Sequence, residues 1–368
     1  MAIDGKTLGL ALSGGGYRAA LFGLGSLWRL NDLGLLGRLD RITSVSGGSI
    51  LAGVLAQRWS SLTFANGTAG NFVAEVADRV QEFCTHTIDV SAGLRGILTP
   101  FRSAGKFLTG AYEKRLFGKT TLDQLPPAAP GTPKFTFYAT NLQTGRSFRF
   151  RQDMIADYML GVCTGEKVPL AVAVAASSAF PPVFSPINVA TDPANWKDGG
   201  NIPDIDELRR KLVLADGGVY DNMGLEALVG KVDIVLASDA GAPFEIENDP
   251  HTDYVRMLGR VRDILIDQTR ALRKRWLIEE FKAQRMRGAY WGIGTRIEDY
   301  QDAVSVFKDT TVTRALASVP TRLAKFEQAT RQQLVNWGYV LCDAAVRVRA
   351  GLDAPKIAAL PIPAASLA

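Results

Sequence analysis

Ile42-Thr43-Ser44-Val45-Ser46-Gly47-Gly48-Ser49-Ile50 is the stretch that decides how this chain is read. An apolar strand runs into a serine followed by two glycines, and the chain continues as the apolar start of a helix, Leu51-Ala52-Gly53-Val54-Leu55. Strand, sharp turn and helix with serine at the apex form a nucleophile elbow, which holds a hydroxyl clear of the backbone. Glycines flank such a serine because a Cβ would strike the neighbouring strand or helix and because the turn uses positive φ. Ser44 stands where the first glycine of G-x-S-x-G belongs, and serine is small enough for the turn to form.

Two further segments work with the elbow. Upstream, the buried-strand pattern Thr7-Leu8-Gly9-Leu10-Ala11-Leu12 leads into Ser13-Gly14-Gly15-Gly16-Tyr17-Arg18 and a helix from Ala19 to about Leu33. Three glycines between a strand and a helix leave bare N–H groups aimed at an anion. That anion is either a nucleotide phosphate or the oxyanion of a tetrahedral intermediate. Downstream, the short strand pattern Leu212-Val213-Leu214-Ala215 ends at Asp216-Gly217-Gly218-Val219-Tyr220-Asp221-Asn222. An acid at a strand end, where glycines turn the chain, is a place for a serine's general base.

Glycine triplet, serine elbow and later Asp-Gly-Gly, in that order over roughly residues 7–240, resemble the patatin-like phospholipase family and its relatives among the cytosolic phospholipases A2. The resemblance implies a three-layer α/β/α fold with a mainly parallel central sheet and helical insertions, acting as a lipid acyl hydrolase without metal or cofactor. It implies Ser46 as nucleophile, Asp216 as its base and orienting partner, and no histidine. The N–H groups around Gly14, Gly15, Gly16 and Gly47 would then form the oxyanion hole. The Gly-Gly-Gly-x-Arg pattern is similar to the phospholipase A2 branch, which implies a substrate-binding role for Arg18 at the lipid phosphate; a guanidinium fork suits phosphate.

Two alternatives stay open. The chain holds only His86 and His251. His251 follows Ser46 and either Asp216 or Asp239, the chain order of an α/β-hydrolase triad. Against it, Asn248-Asp249-Pro250-His251-Thr252 reads as a polar turn leading into a helix at Tyr254. The other alternative is a non-catalytic scaffold whose glycine loop binds a phosphate or nucleotide. A binder has no use for the acid.

Composition is that of a globular protein: 368 residues, 47% hydrophobic and 21% charged, with no disordered bias. Residues 1–350 read as a single hydrolase domain, with a helical insertion at about 60–125, a C-terminal helical region at about 254–350, and a loose Ala/Pro-rich tail at 351–368. The three scattered cysteines, Cys84, Cys163 and Cys342, fit reduced thiols in a cytoplasm rather than a disulfide framework. No His/Cys/Asp group has metal-ligand spacing, no apolar run is long enough to span a membrane, and residues 1–6 lack a signal-peptide layout.

Charge is concentrated. Between Arg256 and Arg287 stand ten Lys/Arg against four Asp/Glu, a net +6 where the whole chain carries +5. Val261, Ile264, Leu265, Leu272, Trp276, Leu277 and Phe281 recur there at helical spacing. The segment is either a core-packed helix with a solvated basic face or a peripheral docking element for anionic lipid. No aromatic–basic interleaving points to nucleic acid.

The remaining expectations are local ones. Asn71–Phe83 and Leu94–Phe117 carry amphipathic helical patterns, as core or as a wall for an acyl chain. Lys134–Asn141 and Arg146–Arg151 read as a strand pair, and Val168–Ala176 as a helix stopped by prolines. Thr191–Glu207 reads as a surface insertion, Val232–Asp239 as a parallel strand, and Ala324–Val348 as an amphipathic helix.

Overall fold

The computed structural model describes residues 5–89, 102–241, 243–300, 307–351 and 357–368. The first strand, β1 (Leu8–Leu12), leads into α1 (Gly16–Asp32), and β2 (Arg41–Val45) into α2 (Gly47–Arg58). A small hairpin, β3 (Phe64–Ala65) and β4 (Thr68–Ala69), precedes the helices α3 (Asp78–Phe83) and α4 (Arg102–Tyr112). Strands β5 (Lys134–Asn141), β6 (Arg146–Phe150), β7 (Ile155–Asp157) and β8 (Gly161–Cys163) lead to α5 (Leu170–Ser178). After β9 (Ile187–Ala190), β10 (Trp196–Lys197) and α6 (Ile205–Arg210) comes β11 (Lys211–Asp216), then α7 (Gly218–Asp221). The chain closes with β12 (Ile234–Asp239), α8 (Tyr254–Lys282), β13 (Arg287–Gly292), α9 (Thr311–Ala317) and α10 (Gln328–Val348).

Among the described residues β5, β2, β1, β12 and β13 form a parallel block in that order. Its strands are apolar on both faces, β1 and β12 being buried throughout, as expected of a parallel sheet covered by helices on each side. Strands β6, β7, β8 and β10 continue the sheet antiparallel. This is the α/β/α architecture expected from the sequence, with a mixed sheet whose central strands are parallel.

The register explains how two distant motifs meet. Strand β2 pairs with Lys134 to Tyr138 of β5. Strand β11 pairs with Ala139 to Asn141, antiparallel. Since β6 occupies the other edge of β5 over Phe137–Asn141, β2 and β11 share one edge and run toward each other. Val45 lies opposite Tyr138 and Asp216 opposite Ala139, so the C-terminal ends of both strands converge where Ser46 begins its turn.

On one face, α10 packs along α1 at backbone distance. A Cβ at Gly25 would strike the Val335 carbonyl, and one at Gly338 the Phe22 carbonyl. The same interface buries an ion pair, Arg29 to Asp343, with Nε–Oδ1 at 2.8 Å.

Several local expectations need correction. Thr191–Glu207 lies at the surface as expected, but it is tied to the sheet: β10 pairs with β8, and Trp196 is buried beneath the Arg209 guanidinium, which bonds the Leu160 and Asp198 carbonyls. In the tail, 352–356 lie outside the described residues, but 357–368 are not loose. Ala365 and Leu367 are buried, and Asn336 exchanges hydrogen bonds with Ile362 and Ala365. Of the Leu94–Phe117 pattern, Leu94, Leu98 and Phe101 lie outside the described residues, whereas Leu108, Tyr112 and Phe117 are core. In α8 only Leu277 of the apolar set is buried, while Val261, Ile264, Leu265, Leu272 and Trp276 face solvent. Among the described residues no helix is long and apolar enough to cross a membrane.

Candidate active site

Ser46 follows β2 at φ 52°, ψ −119°, the left-handed side of the map, which costs a non-glycine residue of order 1–3 kcal/mol and is held only by its surroundings. The surroundings are hydroxyls. Ser177 Oγ accepts from the Ser46 N–H at 2.9 Å and lies 2.8 Å from Ser49 Oγ, which lies 2.9 Å from Ser44 Oγ. The serine that replaces the first elbow glycine is therefore one end of a buried chain that fixes the turn. At the helix side, a Cβ on Gly47 would collide with the Gly16 carbonyl, so glycine is required for the elbow and the glycine loop to touch.

That loop turns on Gly15 (φ 142°) and Gly16 (φ 58°), backbone that glycine supplies at least cost. Gly14 donates its N–H to the Asn222 carbonyl at 3.0 Å, so it faces away from any ligand. Among the described residues the N–H groups of Gly15, Gly16 and Gly47 meet no acceptor, at the N-termini of α1 and α2 where partial positive charge collects.

Asp216 ends β11 fully buried, at 2% exposure. Its backbone N–H donates to the Ala179 carbonyl and that of Gly217 to the Ser177 carbonyl, so the end of α5 anchors the acid as well as the elbow. Its Oδ1 accepts from the Gly218 N–H at 2.7 Å. Burial pushes its pKa up to about 7, although that bond and, more weakly, the Ser46 hydroxyl pull it back. A carboxylate with that affinity for a proton is suited to general-base work near neutrality.

Ser46, Asp216, Gly15, Gly16, Arg18 and Asn222 all line one cavity of about 1370 Å³. Its outer wall comes from α8, through Arg260, Ile266 and Arg270, and from the segment Ala317–Leu323. Phe180, Val183, Phe184 and Phe244 give the wall apolar surface.

The remaining sequence candidates divide between the cavity wall and positions away from it. Arg18 is 1% exposed. Its Nε and Nη2 donate to the Ala240 carbonyl and its Nη1 to the Val319 carbonyl at 2.6 Å. Three of a guanidinium's five donors thus brace the cavity wall; burial, aided by Arg270, lowers its pKa to about 10. Asp239, the alternative acid, is held by Arg270, Tyr290 Oη (2.8 Å) and the Gly241 N–H, which keep its carboxyl below the usual range despite burial. His251 is exposed, 3.1 Å from Arg256 Nη1, and is not among the cavity's lining residues. His86 bonds its own helix end and receives the Tyr17 hydroxyl on its carbonyl.

Two residues had no role assigned from the sequence. Ser177 sits in Ala-Ala-Ser-Ser at the end of a small-residue helix, where a polar pair inside an apolar run is the available signal. Asn222 closes the Asp216 motif itself, bonding Gly14 and lining the cavity.

The model of the patatin-like phospholipase family matches residues 10–229. A putative meiotic phospholipase of Saccharomyces cerevisiae is 44% identical over 57 residues, which is 15% of this chain and 9% of that protein. Among solved structures, human GIVD cytosolic phospholipase A2 in complex with methyl gamma-linolenyl fluorophosphonate superposes with TM-score 0.49 and 13% identity, over 92% of this chain and 57% of that one. VipD from Legionella pneumophila gives TM-score 0.37 at 16% identity, over 90% of this chain and 66% of that one. This chain therefore spans only part of the length of each. With the family model covering more than half of its residues, the chain belongs to the patatin-like phospholipase family.

Proposed function

We propose that this protein hydrolyses fatty-acyl esters of lipids, with phospholipids as the substrate class, through Ser46 and Asp216 alone. The observation that carries the reading is the convergence of β2 and β11 on one edge of β5, which sets a strained serine beside a buried carboxyl whose pKa is raised to about 7. Ser46 Oγ attacks the acyl carbonyl while Asp216 takes its proton. The negative charge that develops on the carbonyl oxygen meets the partnerless N–H groups of Gly15, Gly16 and Gly47, which need no reorganisation to receive it. Collapse of the intermediate expels the lipid alcohol, which takes the proton from Asp216. Water, activated by the same carboxylate, then frees the fatty acid from Ser46.

The two N–H groups that Arg18 keeps free of the Ala240 and Val319 carbonyls serve the substrate's phosphate, and the Phe180, Val183 and Phe184 side of the cavity receives acyl chain. A triad through His251 is disfavoured by its exposed position beside Arg256. A phosphate-binding scaffold leaves the burial of Asp216 without use.

The test is turnover of a short nitrophenyl ester and of a phospholipid by the wild type, Ser46→Ala, Asp216→Asn and His251→Ala, with labelling by an alkyl fluorophosphonate. We expect activity and labelling to vanish in the Ser46 variant, activity to vanish in the Asp216 variant, and both to persist within about twofold in the His251 variant. A folded but inactive His251→Ala protein would refute the reading.

A further inference from the structure

Helix α8 is the longest in the described chain and an unusual one for a globular protein, because its apolar stripe points outward. Tyr254, Leu258, Val261, Leu265, Leu272 and Trp276 follow one another at intervals of three, four and seven residues, and each is at least 42% exposed. Only Gln268 interrupts them on that face. Such spacing places them on a single line along the helix. The opposite face is occupied: Leu277 is buried, Arg270 reaches Asp239, and Arg273 reaches Asp221 and lies over Tyr220.

Basic side chains border the stripe. Arg262, paired with Asp263, stands on one flank and Arg275 on the other, while Arg273 and Lys274 turn inward onto Tyr220 and Tyr290. Among the described residues the ion pairs of the run Arg273-Lys274-Arg275 are those of the inward Arg273 with Asp221 and Glu226. Apolar side chains on one line, Trp among them, with cations along the margins describe a helix that lies in the plane of a lipid surface. A protein partner would need a complementary acidic rim and an apolar groove matching the 23 residues from Tyr254 to Trp276; an anionic bilayer offers both without shape matching.

The same helix borders the cavity with its other face. Arg262 bonds the Pro181 carbonyl, and Arg260 bonds the Glu245 carbonyl and covers Phe244. These contacts bring the exposed Val183 and Ile246 up to the same helix. Arg260, Ile266 and Arg270 of α8 are themselves cavity wall.

We propose that α8 is an interfacial docking helix, seating its Tyr254–Trp276 stripe in the surface of an anionic phospholipid bilayer so that the mouth of the Ser46 cavity opens onto the lipid. The inference rests on the lipid reading of Ser46 for its purpose, but docking is measured without turnover, so the two fail separately. The Ser46→Ala protein is sedimented with vesicles of phosphatidylcholine alone or mixed with phosphatidylserine. It partitions to the mixed vesicles, and Leu265→Glu with Leu272→Glu lowers that partition at least ~10-fold, since each leucine loses its apolar transfer and gains an unfavourable charge.

In protein that keeps Ser46, the same pair of substitutions leaves nitrophenyl ester turnover unchanged and reduces vesicle hydrolysis in parallel with binding. Undiminished sedimentation of the double variant overturns the proposal, as does equal sedimentation with phosphatidylcholine alone. A wild type that runs as a dimer and is split by Leu272→Glu also overturns it, because a second copy then covers the stripe. Binding retained by a protein that hydrolyses nothing would support docking and sink the catalytic reading instead.

Discussion

Replacing Asp216 by asparagine should abolish hydrolysis and at the same time make the protein more stable. The carboxyl is buried and its pKa stands at about 7 rather than 3.8, so the fold prefers the protonated acid. The unfolded chain releases that proton near pH 4, hence stability falls as pH rises from there to about 7 and is level beyond. The separation of roughly three pH units corresponds to about 4 kcal/mol at 1.36 kcal/mol per unit. Asparagine carries no charge to bury and keeps an oxygen for the Gly218 N–H. Urea unfolding of both proteins across a pH series is the assay. The variant's advantage should grow by about 1.4 kcal/mol per pH unit between about pH 4 and 7, reach about 4 kcal/mol near pH 8, and vanish below about pH 4. Wild-type kcat should rise with pH through an apparent pKa near 7. An advantage that does not vary with pH, or a variant weaker than wild type at pH 8, would show that the site does not hold a disfavoured carboxylate.

Three further outcomes follow from the geometry. Ser177→Ala strands the Ser46 N–H and breaks the hydroxyl chain; we expect a loss of about 1–3 kcal/mol in denaturant unfolding and slower fluorophosphonate labelling. Asp343→Ala deprives the buried Arg29 of its carboxylate and should cost about 3–5 kcal/mol, with little change in the residual folded enzyme's KM. Gly338→Ala drives a methyl into the Phe22 carbonyl of α1, a backbone contact that cannot rotate away; a melting scan should show a loss of about 1–3 kcal/mol or more.

The readable parts of the sequence were those whose chemistry is local. Ser46, Asp216 and the Gly14–Gly16 loop each sit where a strand turns over a few residues, and glycine spacing reports such turns directly. Gly14 was grouped with its neighbours because sequence cannot say which N–H groups a turn aims outward; the Asn222 carbonyl decides that. The support from Ser177 comes from 131 residues away in the chain, and the polar pair in its apolar helix does not say which backbone it meets. The same holds for the meeting of β2 and β11, an antiparallel pairing with β5 inside a sheet that reads as parallel. Helix α8 was legible in its periodicity but not in its orientation: an apolar stripe of this spacing predicts core or surface equally until the opposite face is seen to be filled.

The position of β1 has a consequence for how the protein is made. Strand β1 leads directly to the glycine loop, yet one of its two neighbours is β12, some 220 residues later, and its helix α1 is clasped by α10. A chain emerging from the ribosome therefore exposes Ser46 long before the donors around it are locked in place, since neither Ile234–Asp239 nor Gln328–Val348 has yet been synthesised. Until the C-terminal third is complete, β1 lacks one of its two sheet neighbours and α1 lacks the helix that covers it, so the Gly14–Gly16 loop between them is among the last parts of the fold to be framed on both sides.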